Sequence, residues 1–133
     1  NIQYSARLRL PSKYTTYKTN SLIQGVVDVL KLTPIQHQIV GSVRVRGISG
    51  GQKKRVNIGV EMVIDPAILF LDEPTSGLGA AATLILMKAL HSLALTRRTI
   101  ISVIHQPRYQ VFMLFHDIML LFPGGFTVFF GPA

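Results

Sequence analysis

Asp72 and Glu73 close an uninterrupted apolar run, Ile68 to Leu71, and stand at the entrance to a turn that begins with Pro74 and contains Gly77 and Gly79. Ligands of open α/β sheets bind outside the carboxyl ends of the strands. An acidic pair at such a mouth, near a basic segment, therefore suggests a metal and phosphate site. A second apolar run, Thr99 to Ile104, ends at His105-Gln106-Pro107. If the two runs are neighbouring parallel strands, His105 reaches the same mouth, where an imidazole could donate to a terminal phosphate oxygen. The plainer alternatives are that the acids cap the following turn and that the histidine is structural.

A third segment has the composition of an anion site. Gly47-Ile48-Ser49-Gly50-Gly51-Gln52 opens a helical pattern whose first turn is Lys53-Lys54-Arg55. Free N–H groups at a helix start attract anions, and glycine lets a phosphate approach the main chain closely. Cations in that turn oppose the helix dipole by roughly 0.3 to 1 kcal/mol each when exposed. A nearby phosphate would offset this. A glycine turn with a serine cap and solvated lysines fits the spacing equally well. The wider run of Arg44, Arg46, Lys53, Lys54 and Arg55 fits a solvated face as well as a binding surface.

The elements that must position these groups follow from periodicity. Ile2 to Leu10 reads as a helix end before Pro11, and Ser12 to Asn20 as a polar loop. Leu22, Ile23, Val26, Val27 and Leu30 recur at helical spacing, which predicts an amphipathic helix over Ser21 to Lys31 capped by Asn20 or Ser21. Thr33-Pro34 ends it and opens a short turn. Val56, Val60 and Val63 share one face of the helix after the Gly-rich loop, with Gly59 allowing close approach and Asp65-Pro66 closing it.

The run at Ala67 to Leu71 predicts a strand buried on both faces, because its apolar residues do not alternate with polar ones. A helix from about Ala80 to Leu95 carries the stripe Leu86, Leu90, Leu93, and Arg97 and Arg98 follow its end. The β-branched Thr99 to Ile104 is a second buried strand. A short helix near Tyr109 to Phe115, a strand at Ile118 to Phe122, the turn Pro123-Gly124-Gly125 and a strand at Phe126 to Phe130 complete the chain. The order is that of a parallel α/β layout closed by a hairpin. His91 and His116 read as helical residues at the core edge or surface, and His37 as surface.

Composition narrows the classes further. The 133 residues contain no Cys, which excludes disulfides and cysteine-ligated metal and is compatible with the cytosol. Mean hydropathy is positive, yet no apolar run approaches the ~20 residues of a spanning helix. A net charge of +8 suggests phosphate, nucleic acid or anionic lipid as partner. Starting at Asn1 and stopping at Ala133 directly after an apolar strand, the sequence reads like an excerpt.

Together these segments resemble the ATP-binding cassette family, in particular the G subfamily of its transporters. Ile48 to Gln52 is similar to the cassette signature loop, Ile68 to Glu73 to the Walker B strand, Ser76 to Gly79 to the D-loop, and Ile104 to Pro107 to the switch-histidine loop. Ser5-Ala6-Arg7-Leu8-Arg9-Leu10-Pro11 resembles that subfamily's helical subdomain, and Gly124 to Pro132 its closing hairpin. The resemblance implies a partial P-loop NTPase core with an α-helical subdomain, divided into residues 1–64 and 65–133. It implies ATP hydrolysis that powers export, with ATP and Mg²⁺ as cofactors. Asp72 would hold Mg²⁺ through water, Glu73 would orient or activate the attacking water, and His105 would contact the γ-phosphate. Ser49, Gly50, Gly51 and Gln52 would meet ATP bound by a second, head-to-tail cassette, and Ser76, Gly77, Leu78 and Gly79 would line that dimer interface. Partners would be that cassette and a transmembrane domain, at the cytoplasmic face of a membrane, with no nucleic acid expected.

Two departures qualify the resemblance. No G-x-x-x-x-G-K-S/T occurs in these residues, so the loop that cradles the phosphates is absent from them. By resemblance its strand would lie between the Thr99 to Ile104 and Ile118 to Phe122 strands, leaving two unpaired apolar edges. Gly79 stands where the family normally has Asp, a mild change for a helix cap but one that puts coupling across the dimer in doubt. The expectation is an incomplete cassette, inactive alone. The rival is a degenerate, non-hydrolytic cassette that docks on an intact one.

Overall fold

The computed structural model describes residues 1–42 and 44–133. In chain order it contains α1 (Ile2–Arg9), α2 (Thr16–Val29), a 3-10 turn (Thr33–Ile35), α3 (Gly50–Met62), β1 (Ile68–Asp72), α4 (Ala80–Ala94), β2 (Thr99–Val103), α5 (Tyr109–Phe112), β3 (Asp117–Phe122) and β4 (Phe126–Pro132). The order matches the periodicity reading; α5 stops at Phe112, three residues early, and the largest boundary shift is at α2. Helix α2 starts at Thr16, not Ser21, and its cap is Thr15, whose side chain accepts from the Lys18 N–H. The polar run Tyr17 to Asn20 has no apolar periodicity because its outward face lies in water, so the spacing rule missed the first turn.

Helices α1 to α3 pack around small contacts. An added Cβ on Gly59 would lie 2.7 Å from Ile2 Cδ1 and 3.0 Å from Leu30 Cδ1, which is the close approach that glycine was expected to allow. Ser5 Oγ donates to the Val60 carbonyl at 3.0 Å, and Arg9 bridges to Glu61 at 2.9 Å, fixing α1 along the end of α3. The buried face of α3 is Val56, Ile58, Gly59 and Met62, joined by Val63 after its end, while Val60 is only partly buried. One core cluster runs from these helices into Leu86, Met87, Ala89, Leu90 and Leu93 of α4.

Strands β1 and β2 are parallel and in register from Ile68 opposite Thr99 to Asp72 opposite Val103. Arg98 pairs with Asp65 just before the strands, and the Thr99 N–H donates to the Ala67 carbonyl at 2.9 Å. The expectation of burial on both faces fails here. Leu69, Leu71, Ile100 and Ile104 pack on the core, but Ile68, Phe70, Ile101 and Val103 face outward, with Phe70 72% exposed. Helices cover only one side of this sheet, so an unbroken apolar run does not guarantee two covered faces.

Strands β3 and β4 form a separate antiparallel pair with an irregularity between Leu120 and Leu121. Among the described residues β3 does not pair with β2, so the strands form two two-stranded sheets, in keeping with the expectation that a strand between Thr99 to Ile104 and Ile118 to Phe122 is absent from these residues. Gly124 and Gly125 take positive φ in the connecting turn, as a tight hairpin requires. His116 lies in the approach to β3, not on a helix, and its ring stacks on His91 of α4 with centroids 5.1 Å apart. His91 Nδ1 lies 2.9 Å from the Leu114 carbonyl, which requires the proton on Nδ1 for a hydrogen bond.

Candidate functional site

The parallel register settles where the chemistry-bearing residues meet. Because Asp72 is opposite Val103, Glu73 leaves the end of β1 just as β2 ends, and its N–H donates to the Val103 carbonyl at 3.0 Å. Two residues beyond Val103, the His105 ring turns back so that Nε2 lies 3.1 Å from Oε1 of Glu73. Glu73 and Gln106 both have positive φ, 42° and 45°. Left-handed backbone at non-glycine residues costs of order 1 kcal/mol or more, and here it brackets the histidine contact. Pro74, fully buried, anchors the turn behind the carboxylates.

Both side chains of the pair are substantially exposed, His105 at 78%. In open water such a contact contributes little. A cleft of about 180 Å³ begins beside it, lined by Thr75, Leu78, Thr83, His105, Arg108 and Gln110 among others. Arg108 and Gln110 were not singled out from sequence. Their only signal is their position directly after the Pro107 turn. Asp72 borders a different cleft, of about 220 Å³, together with Lys54 and Asn57 of α3. Asp72 thus borders one cleft and His105 the other, with Glu73 between them in the chain.

A divalent cation would suit the oxygens available. Asp72 is exposed and makes no side-chain hydrogen bond among the described residues, and Glu73 follows it directly. Mg²⁺ is typically held by one or two carboxylates with water and phosphate oxygens filling the other positions, and this donor set fits it. No group of three or more His, Cys, Asp or Glu that could enclose a metal occurs among the described residues.

At the tip of α3 the Gly-rich segment forms a capping box. Ser49 Oγ accepts from the Gln52 N–H at 3.3 Å and Gln52 Oε1 accepts from the Ser49 N–H at 2.7 Å. This leaves the N–H groups of Gly50 and Gly51, first in the helix, without intrahelical acceptors. Gly50 has open space where a Cβ would be, whereas a Cβ on Gly51 would lie 3.0 Å from Ala82 Cβ and 3.8 Å from Leu78 Cδ2. The tip thus abuts the start of α4, which Gly79 caps in extended geometry without a side-chain bond. Leu78 touches both the tip of α3 and the His105 cleft.

Of the basic run, Arg55 does not belong to a free face. Its guanidinium donates to the carbonyls of Leu30 and Lys31 at the end of α2, at 2.9 and 3.1 Å, and partial burial lowers its pKa from the ordinary arginine value. Lys31 adopts a positive φ there, which turns the α2 terminus toward Arg55.

Helices packed on one side of a parallel pair, with an acid–histidine contact at the strand ends and a glycine-led helix tip, stand on the fold of the ATP-binding cassettes, a P-loop NTPase fold. The structure of the ADP conformation of MJ1267, an ATP-binding cassette of an ABC transporter, matches with a TM-score of 0.69 over 92% of this chain and 44% of that one, at 20% identity. The ABC transporter family model matches residues 3–76, and the chain belongs to that family. Over 133 residues it is 44% identical to ABC transporter G family member 28 of Arabidopsis thaliana and to the broad substrate specificity ATP-binding cassette transporter ABCG2 of Bos taurus, supporting the G subfamily. It spans all of this chain but 12% and 20% of those relatives.

Proposed function

We propose that the chain is the signature-to-switch portion of a nucleotide-binding cassette whose ATP hydrolysis drives export through a membrane domain. The observation that carries this reading is the 3.1 Å contact between His105 and Glu73 at the common mouth of β1 and β2. Residues 1–64 act as the helical subdomain and 65–133 as part of the catalytic core. Glu73 orients the attacking water and accepts its proton, and His105 donates to the terminal phosphate. Asp72 would hold Mg²⁺ through water, and the cation, when bound, neutralises charge developing on the phosphates.

Ser76 to Gly79 and the α3 tip face a second cassette, with the N–H groups of Gly50 and Gly51 and the Ser49 hydroxyl offered to the nucleotide that cassette holds. The exposure of the His105–Glu73 pair supports this arrangement. Its electrostatics gain strength only when a nucleotide and an opposing surface exclude water. The working location is the cytoplasmic face of a membrane. No helix among the described residues is long and apolar enough to cross one.

In the whole transporter carrying this sequence, Glu73→Gln should lower ATP turnover by roughly 10² to 10⁴-fold while nucleotide binding persists. Unchanged turnover refutes the assignment. The 133-residue chain alone should show negligible turnover in a Mg-ATP titration, because these residues hold no phosphate-cradling loop.

A second reading, a non-hydrolytic cassette that docks on an intact one, is favoured by the complete capping box at Ser49 beside the missing G-x-x-x-x-G-K-S/T. It requires that adding this chain change the partner's ATPase rate, and that Ser49 replacement abolish the change while Glu73 replacement does not.

A further inference from the structure

The net charge of +8 is confined to one half of the molecule. Residues 1–64 hold ten of the fourteen Lys and Arg residues but two of the six acids, whereas residues 65–133 hold four of each and are neutral. Asp28 is the first acidic residue of the chain, so α1, the turn after it and most of α2 carry cations with no carboxylate among them. Arg9 is consumed by Glu61 and Arg55 by the α2 terminus. Arg7, Lys13 and Lys18 are exposed and pair with no acid among the described residues.

Exposed apolar and amphipathic side chains lie among these cations. Ile2 and Ala6 turn inward from α1, which leaves Tyr4, Arg7 and Leu8 together on the opposite face, with Tyr4 71% and Leu8 84% exposed. In the first turn of α2, Tyr17 is 86% exposed, on the side away from the buried Val26. The Lys18 ammonium sits over the face of the Tyr14 ring, 4.4 Å from its centre, a cation–π contact that places its charge beside an aromatic surface.

Tyrosine and leucine with Lys and Arg, free of carboxylates, are the side chains that partition at a lipid headgroup boundary. We infer that Tyr4, Arg7, Leu8, Lys13, Tyr17 and Lys18 form a docking surface for an anionic phospholipid bilayer. The cations meet headgroup phosphates and carboxylates while Leu8 and the tyrosine rings enter the upper acyl boundary. Single-stranded nucleic acid also takes cations and aromatic rings, but it gives a fully exposed leucine on the same helix face no partner. The inference stands on charge and exposure and does not depend on the cassette reading.

The test is co-flotation of the 133-residue chain with vesicles of phosphatidylcholine alone and of phosphatidylcholine containing phosphatidylserine, at low and moderate salt, since self-associated chain does not float. Binding should be selective for the anionic vesicles and fall with salt. The triple variant Arg7→Glu, Lys13→Glu, Lys18→Glu should lose on the order of a hundredfold in partitioning. Lys88→Glu, Arg97→Glu, Arg108→Glu, drawn from the neutral half, should change it little. Circular dichroism checks that each variant retains its helices. Leu8→Ser should weaken binding to anionic vesicles at either salt concentration. Three results overturn the proposal: equal partitioning onto both vesicle types, which would place binding on the exposed hairpin; equal loss from both triple variants; and full displacement by oligothymidylate at low concentration, which would identify a nucleic-acid surface.

Discussion

The Arg55 guanidinium donates to the Leu30 carbonyl at 2.9 Å, joining the second turn of α3 to the last residue of the α2 hydrogen-bond ladder. Leu30 is fully buried, and its carbonyl has left the helical series, so the arginine satisfies a group that would otherwise be desolvated without a partner. Arg55→Met should destabilise the chain by about 1.5 to 3 kcal/mol in a urea titration, the usual range for a bond to a charged group. Arg55→Lys should recover part of this, since an ammonium cannot reproduce the planar fork that serves both Leu30 and Lys31. Equal stability of wild type and Arg55→Met would remove this bridge from the account of the fold.

Two glycines should respond with opposite signs to the same substitution. Gly25, inside α2, has nothing within 4 Å of an added Cβ, so Gly25→Ala should stabilise by up to about 1 kcal/mol through helix propensity. A Cβ on Gly47 would lie 2.3 Å from the Val40 carbonyl oxygen and 2.5 Å from the Gly41 N atom, both backbone. Gly47→Ala should therefore cost about 3 kcal/mol or more and displace the loop that leads to Ser49. Thermal melts of the two variants, moving in opposite directions from wild type, are the expected result.

Gly79 caps α4 with φ −68° and ψ 160°, a geometry that any N-cap residue adopts. Gly79→Asp should raise stability by a few tenths of a kcal/mol, by supplying a side-chain acceptor for the first turn. In the whole transporter, the same variant should strengthen coupling between the two cassettes, read as increased cooperativity of ATPase activity with ATP concentration. Stabilisation without a change in cooperativity would limit residue 79 to a helix cap.

The hairpin exposes Phe122, Phe126, Val128 and Phe130. Its free edges and apolar surface should make the 133-residue chain self-associate. Val128→Lys together with Phe130→Lys should shift light scattering toward the monomer, whereas the same change at solvent-exposed Gln110 should not.

The strand ends and helix tips were legible in the sequence because local chemistry specifies them. Asp72 ends a β-type run, Ser49 and Gln52 form a capping box at fixed spacing, and Pro107 stops the second strand. The meeting of His105 with Glu73 was legible only conditionally, since it required β1 and β2 to be parallel neighbours. That is a long-range fact no local pattern contains. The start of α2 at Thr16 was hidden because Tyr17 and Lys18 face water and give no apolar period. The outward face of β1 was hidden for a related reason: Ile68 and Phe70 are as apolar as Leu69 and Leu71, and the sequence does not say which covering layer is supplied from elsewhere.

Strands β3 and β4 pack chiefly on each other, and the stacked rings of His91 and His116 fasten their base to α4. Little else in the fold packs on this hairpin, whereas α4 is built into the core cluster. The hairpin amides should exchange with solvent through small local openings, at free energies well below that of global unfolding, and those of Leu86 and Leu90 only when the whole core opens.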